Sequence, residues 1–379
     1  MTAVVIGGGL AGAATAVRLA EAGREVTLFE RSTGPVDKMC GEFLSHEAGG
    51  YLAALDIDVE ALGALPIDSV RLCSRHHMAV SVPLPFAAKS LSRRVLDEAL
   101  LARARSAGAT VVRGAKVREL SPTADAWSTR LEDGRRLDAK VAFLATGKHD
   151  LRGHARPPGL QNDLVALKMH WELAPGQAAE LAGHVELMLF SGGYAGLQLV
   201  EGGRANLCLL VRQRRLASLG RHWDGVLAAI RAESPHLDLR LTGAKPCSTR
   251  PLALSAIPYG YLRRKPDREG LFRLGDQAAV VPSFSGDGMS IALHSAELAA
   301  TTYLEGGHVA DYQTRLAKDV SVPVLLGTLI SHGLVRDLGQ LALGALARLW
   351  PGLVSIVASA TRVPDVALAS VAQASRSRS

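Results

Sequence analysis

Cysteine is scarce in this 379-residue chain: Cys40, Cys73, Cys208 and Cys247 stand far apart, and no two form a CxxC pair. That argues against a disulfide framework and a thiolate zinc site, so no metal centre is expected, and it fits a reducing cytoplasm. Aromatic residues make up 4% of the chain and are not interleaved with basic ones, which argues against a base-stacking platform for nucleic acid. No block of one charge sign occurs. The net charge of +7 comes from arginines scattered over the length, the pattern of a solvated surface. No charged n-region or cleavable apolar segment precedes the opening strand, so neither a secretion signal nor a transit peptide is expected. Clean apolar runs are missing too. The longest apolar region, 333–360, is broken by Arg336, Asp337, Arg348 and Pro351, short of the ~20 residues a membrane span needs. Leu334, Leu338, Leu341 and Leu349 recur there at roughly helical spacing, which reads as an amphipathic helix packed on the body. Docking on a membrane surface, or lining an apolar channel, stays open as the alternative. The terminal ASRSRS is expected to be disordered.

What is present is a globular composition, 48% hydrophobic and 21% charged, on a length suited to one large or two ordinary domains. The N-terminal run AVVIGGGLAGAATAVRLAEAGREVTLFER reads as strand, Gly-rich turn, helix and second strand. Gly7, Gly9 and Gly12 supply G-x-G-x-x-G. The first glycine permits the tight turn, the second lets a pyrophosphate approach the backbone, and the third lets the helix pack on the strand. Leu10 and Ala11 open a helix whose free N–H groups and positive dipole end face the phosphates. Glu30, with Arg31 beside it, closes the second strand about 20 residues on, where a carboxylate accepts both ribose hydroxyls. A dinucleotide site follows from this register. The fingerprint alone does not choose between FAD and NAD.

Later segments do. GLFRLGDQAAVVPSFSGDGMSIALHSAELAA, residues 270–300, resembles the second flavin-binding segment of the FAD-dependent family that includes para-hydroxybenzoate hydroxylase, geranylgeranyl reductases and flavin-dependent halogenases. The resemblance implies that Gly275 and Asp276 meet the ribityl chain. It also puts Pro282, Gly286, Asp287, Gly288 and Met289 against the pyrimidine edge of the flavin. Asp287 departs from the glycine usual there. The segment SLSRRVLDEALLARARSAGATVVRGAKV resembles the family's R-x-x-x-D helix at Arg93 and Asp97, with Val117 at the adenine. DGRRLDAKVAFLATGKH resembles the strand ending in ATG that closes the FAD domain, at Ala145, Thr146 and Gly147.

DKMCGEFLS, residues 37–45, resembles the K-x-C-G-G/E segment of the geranylgeranyl reductase branch at Lys38, Cys40, Gly41 and Glu42, which implies a wall close to the flavin. Cys40 there is either a small packing residue or a chemical group, and Glu42 either a proton donor or a backbone partner. GGYAGLQLVEGGRANLCLL resembles that branch's GGYxWxFP segment at Gly192, Gly193, Tyr194, Gly203 and Asn206. Gly196, Gln198 and Leu199 replace its Trp, Phe and Pro, which opens the pocket and adds a polar contact. The halogenases' WxWxIP is absent. His170 alternates with apolar residues in KMHWEL, as a satisfied structural histidine or as a base.

The expected fold is α/β: a Rossmann-like FAD-binding domain of glutathione reductase type over 1–160 and 250–300, an inserted β-sheet substrate domain over 161–249, and a helical C-terminal region over 301–379. Residues 71–89 are a candidate addition to the substrate sheet. The expected activity is FAD-dependent oxidation of an apolar or aromatic small molecule by a monooxygenase, through a flavin C4a-hydroperoxide. A double-bond reductase of geranylgeranyl reductase type is the alternative, and a halogenase is a third. NAD(P)H is expected as the electron donor, directly or through a partner reductase; a carrier protein is a further candidate partner. Candidate catalytic residues are Cys40, Glu42, His170, Tyr194 and Gln198. The expected location is the cytoplasm, with membrane association through 333–360 left open.

Overall fold

Short apolar runs without alternation mark strands buried on both faces. β1 (Ala3–Ile6) is such a run, with Ala3 and Val5 packed in one core cluster and Val4 and Ile6 in another. A computed structural model describes residues 2–74, 79–350 and 352–363, with Val354 as backbone only. Pro351 and the ASRSRS tail lie outside the described residues. β1 is the middle of a parallel five-stranded sheet in the order β17 (Leu271–Arg273), β10 (Val141–Leu144), β1, β2 (Val26–Glu30), β6 (Thr110–Arg113). On one face α1 (Leu10–Glu21) packs with α3 (Arg93–Ser106) and α8 (Gly288–Leu304), and α2 (His46–Ala53) packs on α8. On the other lies an antiparallel sheet of β7 (Val117–Pro122), β8 (Trp127–Leu131) and β9 (Arg136–Ala139).

A nine-stranded sheet forms the second body. Its centre is β11 (Leu164–Glu172), β14 (Ala205–Arg212), β13 (Gly193–Leu199) and β12 (Gly183–Phe190), all within the 161–249 segment expected to form the substrate sheet. β15 (Lys245–Pro246) and β16 (Leu252–Ser255) pair with β11. On the far side β4 (Leu65–Cys73) joins β12 in parallel, followed by β5 (Ala79–Ser90) and β3 (Phe43–Leu44). The sheet thus takes strands from 43–90 as well as from 164–255. Period-2 alternation splits its faces. On β11, Val165, Leu167, Met169 and Trp171 face the outer cluster, which α6 (Trp223–Glu233) and α7 (Pro235–Arg240) cover with Val226, Ile230 and Leu237. The short α4 (Pro175–Leu181) and α5 (Gln213–Ser218) border the same side.

α9 (Val309–Leu334), α10 (Asp337–Leu349) and α11 (Gly352–Ala360) close the chain's described part. Gln340 stitches α10 to the sheet by donating to the carbonyls of Phe190 and Leu334 at 2.7 Å and of Gly193 at 3.0 Å.

Glu186, on β12, is 0% exposed and faces Arg71 Nη1 at 2.5 Å, His236 Nε2 at 2.9 Å and Arg240 Nη2 at 3.0 Å. Desolvation pushes its pKa up, but hydrogen bonds and charge from His236 and Arg240 outweigh it and bring it to about 2, from 4.5. A carboxyl depressed on folding stabilises above its unfolded pKa and loses that contribution as pH falls. The loss is expected between about pH 4.5 and pH 2 and amounts to about 3 kcal/mol. Urea unfolding across that range is expected to show a larger loss in the native protein than in Glu186→Gln, where Glu30 and Glu42 still titrate.

Candidate active site

Glycines build the first half of the site where no other residue fits. A Cβ on Gly12 would collide with the Gly7 carbonyl oxygen and stand 3.1 Å from Ala145 Cβ, so the helix lies directly on the strand turn. Gly7 itself sits at φ +107°, a conformation that strains any L side chain. α1 begins at Gly9 with no side-chain cap, so its first N–H groups are left for a ligand. Two cations converge there: a Cβ on Gly9 would meet Arg93 Nη2 at 3.3 Å and Lys38 Nζ at 3.7 Å. Asp97 holds both, receiving Arg93 Nε at 2.9 Å and facing Lys38 Nζ at 2.7 Å. Glu30 accepts from Gly8 N at 2.7 Å and Ser32 N at 2.8 Å. Burial raises its pKa, but the Lys38 charge and those N–H groups win and keep it below the ordinary carboxylate range.

The floor continues at the ends of β10 and β17. Thr146 leaves its buried Oγ1 without a partner, Gly147 adopts φ +61°, and Asp276 pairs with Lys148 at 3.1 Å. Gly275 N donates to Ser295 Oγ at 2.8 Å. The loop after Pro282 ends in left-handed Gly286, where a Cβ would meet Phe43 Cδ1 at 2.6 Å. α8 starts two residues later, also without a side-chain cap, with Met289 buried behind it. An uncapped helix end flanked by two cations, a ribose-ready carboxylate, an orphaned threonine hydroxyl and a second uncapped helix end fit FAD. Arg31 is exposed, and Val117 starts β7 just past the backbone bond from Ala115 N to Glu30 O at 3.0 Å.

The DKMCGE segment is neither a free loop nor a reactive dyad. Glu42 is 0% exposed and left-handed at φ 64°. Its Oε1 faces Lys168 Nζ at 2.5 Å and accepts from Arg93 N at 3.1 Å, while its Oε2 lies 2.8 Å from His170 Nε2. Lys168 is 1% exposed and also donates to the Lys38 carbonyl at 3.0 Å. Gln198 donates to Glu42 O at 2.8 Å, and Asn206 to Gly41 O at 2.8 Å and Cys40 O at 3.2 Å. Desolvation raises the pKa of Glu42, but Lys168 and His170 overcome it and keep the group ionised. The segment is therefore strapped under the sheet by side chains of β11, β13 and β14. Cys40 accepts from Glu42 N at 3.3 Å and packs against the core. Donor atoms of Asp37, Glu42 and His170 lie within 4.8 Å of one another, and the Lys168 ammonium supplies the positive charge that this group faces.

Of the five candidate catalytic residues, Cys40, Glu42, His170 and Gln198 thus meet in one buried junction. Tyr194 stands elsewhere, on the wall of an apolar cavity of about 210 Å³, edge-on to Phe284. Val70, Leu72, Val185, Leu187 and Leu210 line the cavity from the sheet; Ile330, Leu334, Leu343 and Ala347 line it from α9 and α10. Cys208 is on the wall with its thiol pushed up to about 12 by burial, an inert hydrophobic group. Two residues of this site escape the sequence reading. Lys168 sits two positions before His170, hence on the same strand face, a spacing that signals a paired buried charge. Arg362, on the cavity wall beyond α11, carries no local signal.

The cradle, the flavin-edge loop and the roofing sheet define an FAD-dependent oxidoreductase. Residues 2–38 match the family model "FAD dependent oxidoreductase". Among curated proteins, the chain is 26% identical over 334 residues to a menaquinone reductase of Mycolicibacterium smegmatis, covering 82% of this chain and 78% of that one. It is likewise 26% identical over 318 residues to a menaquinone reductase of Mycobacterium tuberculosis, covering 78% and 75%. Among solved structures it resembles a variant of the flavin-dependent brominase Bmp2, with TM-score 0.76, 15% identity and 94% and 93% of the two chains covered. It also resembles PqsL of Pseudomonas aeruginosa bound to 2-aminobenzoylacetate, with TM-score 0.71, 17% identity and coverage of 91% and 99%. These structural likenesses describe the fold. The superfamily stands as read from the motifs; the geranylgeranyl reductase branch is not among these matches.

Proposed function

We propose that this protein reduces an apolar, carbonyl-bearing lipid of the prenylated quinone type. The observation that carries the reading is the cavity: apolar side chains wall it from the sheet and from three helices, and it leads to Gly286 beside the second uncapped helix end. Similarity to menaquinone reductases over most of the chain supports the same substrate class. FAD, when bound, supplies two-electron transfer, and the protein supplies placement and dryness. Lys38 and Arg93 hold the phosphates, and Glu30 holds the ribose. The Glu42–Lys168–His170 junction fixes the 37–42 wall. Asp287, 0% exposed next to Gly286, is the group that holds a proton near neutrality: desolvation lifts its pKa, against the opposing charge of Arg362, to about 7. Turnover is therefore expected to fall as pH rises through about 7, and Asp287→Asn is expected to flatten that limb of the rate profile. NAD(P)H, directly or through a partner reductase, is the reductant in this reading; bleaching of the flavin absorbance on adding NADPH checks it.

The lipid reading extends to the surface. Val322, Leu325, Leu329, Leu338, Leu341 and Leu349 point outward from α9 and α10, with exposed Trp350 beside them, while other residues of the same helices line the cavity within. Arg336, exposed with Asp337 beside it, stands at the start of this face. Among the described residues no helix is long and apolar enough to cross a membrane, so the reading is docking on a bilayer surface. Leu338→Ser with Leu349→Ser is expected to cut co-sedimentation with phosphatidylglycerol vesicles about tenfold or more; unchanged binding contradicts the docking.

The test of the reduction itself is anaerobic. Chemically reduced, FAD-loaded protein is mixed with a short prenylated naphthoquinone, and the return of oxidised-flavin absorbance is timed. Prompt return with the quinone and none with buffer is the expected result. Oxygenation is the second reading, favoured by Gly196 and Gln198 on the cavity wall, which leave room and a polar contact for an oxygenated ring. Return of the absorbance only when oxygen is admitted supports it.

A further inference from the structure

Alternation along β13 puts Tyr194, Gly196 and Gln198 on the cavity side and Ala195 and Leu197 in the outer cluster. Most polar side-chain atoms on this wall are already committed. Tyr194 Oη is enclosed by protein, and the hydroxyls of Ser283, Ser285 and Thr361 are engaged with Tyr259 Oη, Pro282 O and Val357 O. Gln198 differs from all of these. Its Nε2 donates to Glu42 O at 2.8 Å, and because a carbonyl oxygen only accepts, that bond fixes which end of the carboxamide is nitrogen. The other end, Oε1, accepts from no group among the described residues. Asn206, paired with Gln198 across the sheet, has its Oδ1 shut in by protein, whereas Gln198 Oε1 is not shut in and belongs to the cavity wall. Beside it the wall is open: a Cβ added to Gly196 would meet nothing closer than Cys208 O at 3.8 Å. The strand therefore presents one oriented oxygen acceptor to an otherwise apolar space.

We propose that Gln198 Oε1 accepts a hydrogen bond from a hydroxyl on the ligand ring, so that the cavity holds a naphthol- or hydroquinone-type ring more tightly than its ether or carbonyl counterpart. The proposal rests on the lipid-reductase reading for its substrate class and names the residue that tells product from substrate. Reduction turns a ring carbonyl, which only accepts, into a hydroxyl, which also donates. Facing a carbonyl, Oε1 stays unpaired; facing a hydroxyl, it is satisfied. The bound pair is shifted toward the hydroxyl form by the ratio of the two affinities. Gln198 is a specificity residue here and takes no part in bond making. The second N–H of its carboxamide could instead serve a carbonyl, and the choice of probes separates the two contacts.

The test is binding to the FAD-loaded protein, read by calorimetry with three probes: a prenylated naphthol, its methyl ether and the matching prenylated naphthoquinone. The native protein is expected to bind the naphthol about threefold to tenfold more tightly than the ether. Gln198→Met is expected to bring those two within about twofold, by weakening the naphthol alone. Gln198→Asn, which withdraws the carboxamide by one methylene, is expected to lose most of the preference too and decides the matter should Gln198→Met lose FAD or fold. Equal affinity for naphthol and ether in the native protein, or a preference that survives in the variants, overturns the inference. So does a variant that weakens the quinone and spares the naphthol. Because the readout is binding, it is separable from turnover. A naphthol preferred through Gln198 in a protein that never reduces the quinone sinks the reductase reading alone, and prompt quinone reduction without a preference that depends on Gln198 sinks this inference alone.

Discussion

Glu42→Ala is expected to destabilise the FAD-loaded protein by about 3–5 kcal/mol and to yield protein that loses FAD on gel filtration. The reason is what it leaves behind. Lys168 is 1% exposed and keeps one partner, the Lys38 carbonyl, once its 2.5 Å carboxylate is gone. An ammonium without a counter-charge in that position is among the costliest single changes a core can suffer. His170 loses its 2.8 Å contact and Arg93 N its acceptor, which frees the start of α3 and with it the cation aimed at Gly9. The direct check is urea unfolding of Glu42→Ala against the double variant Glu42→Leu with Lys168→Met. Removing both charges is expected to recover most of the stability, because packed apolar groups replace a buried pair at little net cost. A single variant as stable as the native protein, or a double variant worse than the single, contradicts the assignment of this pair as the strut of the flavin wall.

Gly12→Val is expected to weaken FAD binding on the order of 100-fold, from about 3 kcal/mol of overpacking. The added side chain has nowhere to go: Gly7 O and Ala145 Cβ already touch the space, so α1 must lift from β1 and carry its N-terminal N–H groups away from the phosphates. Gly9→Ala makes the useful comparison. Its Cβ meets only the flexible ends of Arg93 and Lys38, so the apoprotein is expected to keep its melting temperature while FAD binds more weakly. Flavin fluorescence titration separates the two variants. An unaltered FAD Kd in Gly12→Val contradicts the cradle.

The cradle was legible in the sequence because its chemistry is local. Gly7, Gly9, Gly12 and Glu30 all fall within one strand–helix–strand unit, where spacing alone fixes who meets whom. Part of the roof was legible for the same reason, since the alternation of His170 with apolar residues in KMHWEL on β11 is a property of consecutive residues. The junction around Glu42 was not. Its partners Lys168 and His170 lie 126 and 128 residues away, and only the pairing of the sheet over the loop brings them close. The sequence left Glu42 open between proton donor and backbone partner. The geometry instead makes it an anchor paired with Lys168 and His170, and the proton-holding part passes, in the proposed reading, to Asp287, fully buried at the start of α8. Arg362 was invisible because it enters from the C-terminal segment, after helices whose leucines give the same pattern whether they face a core, a cavity or a membrane.

The central claim is that this FAD site adds electrons to a lipid rather than oxygen. The most direct measurement is the mass of the product from a single turnover: the FAD-loaded protein, reduced beforehand, is given a prenylated naphthoquinone first without oxygen and then with it. A product that gains hydrogen, formed equally in both conditions, is the expected result. A product that carries a new oxygen atom and forms only when oxygen is present contradicts it.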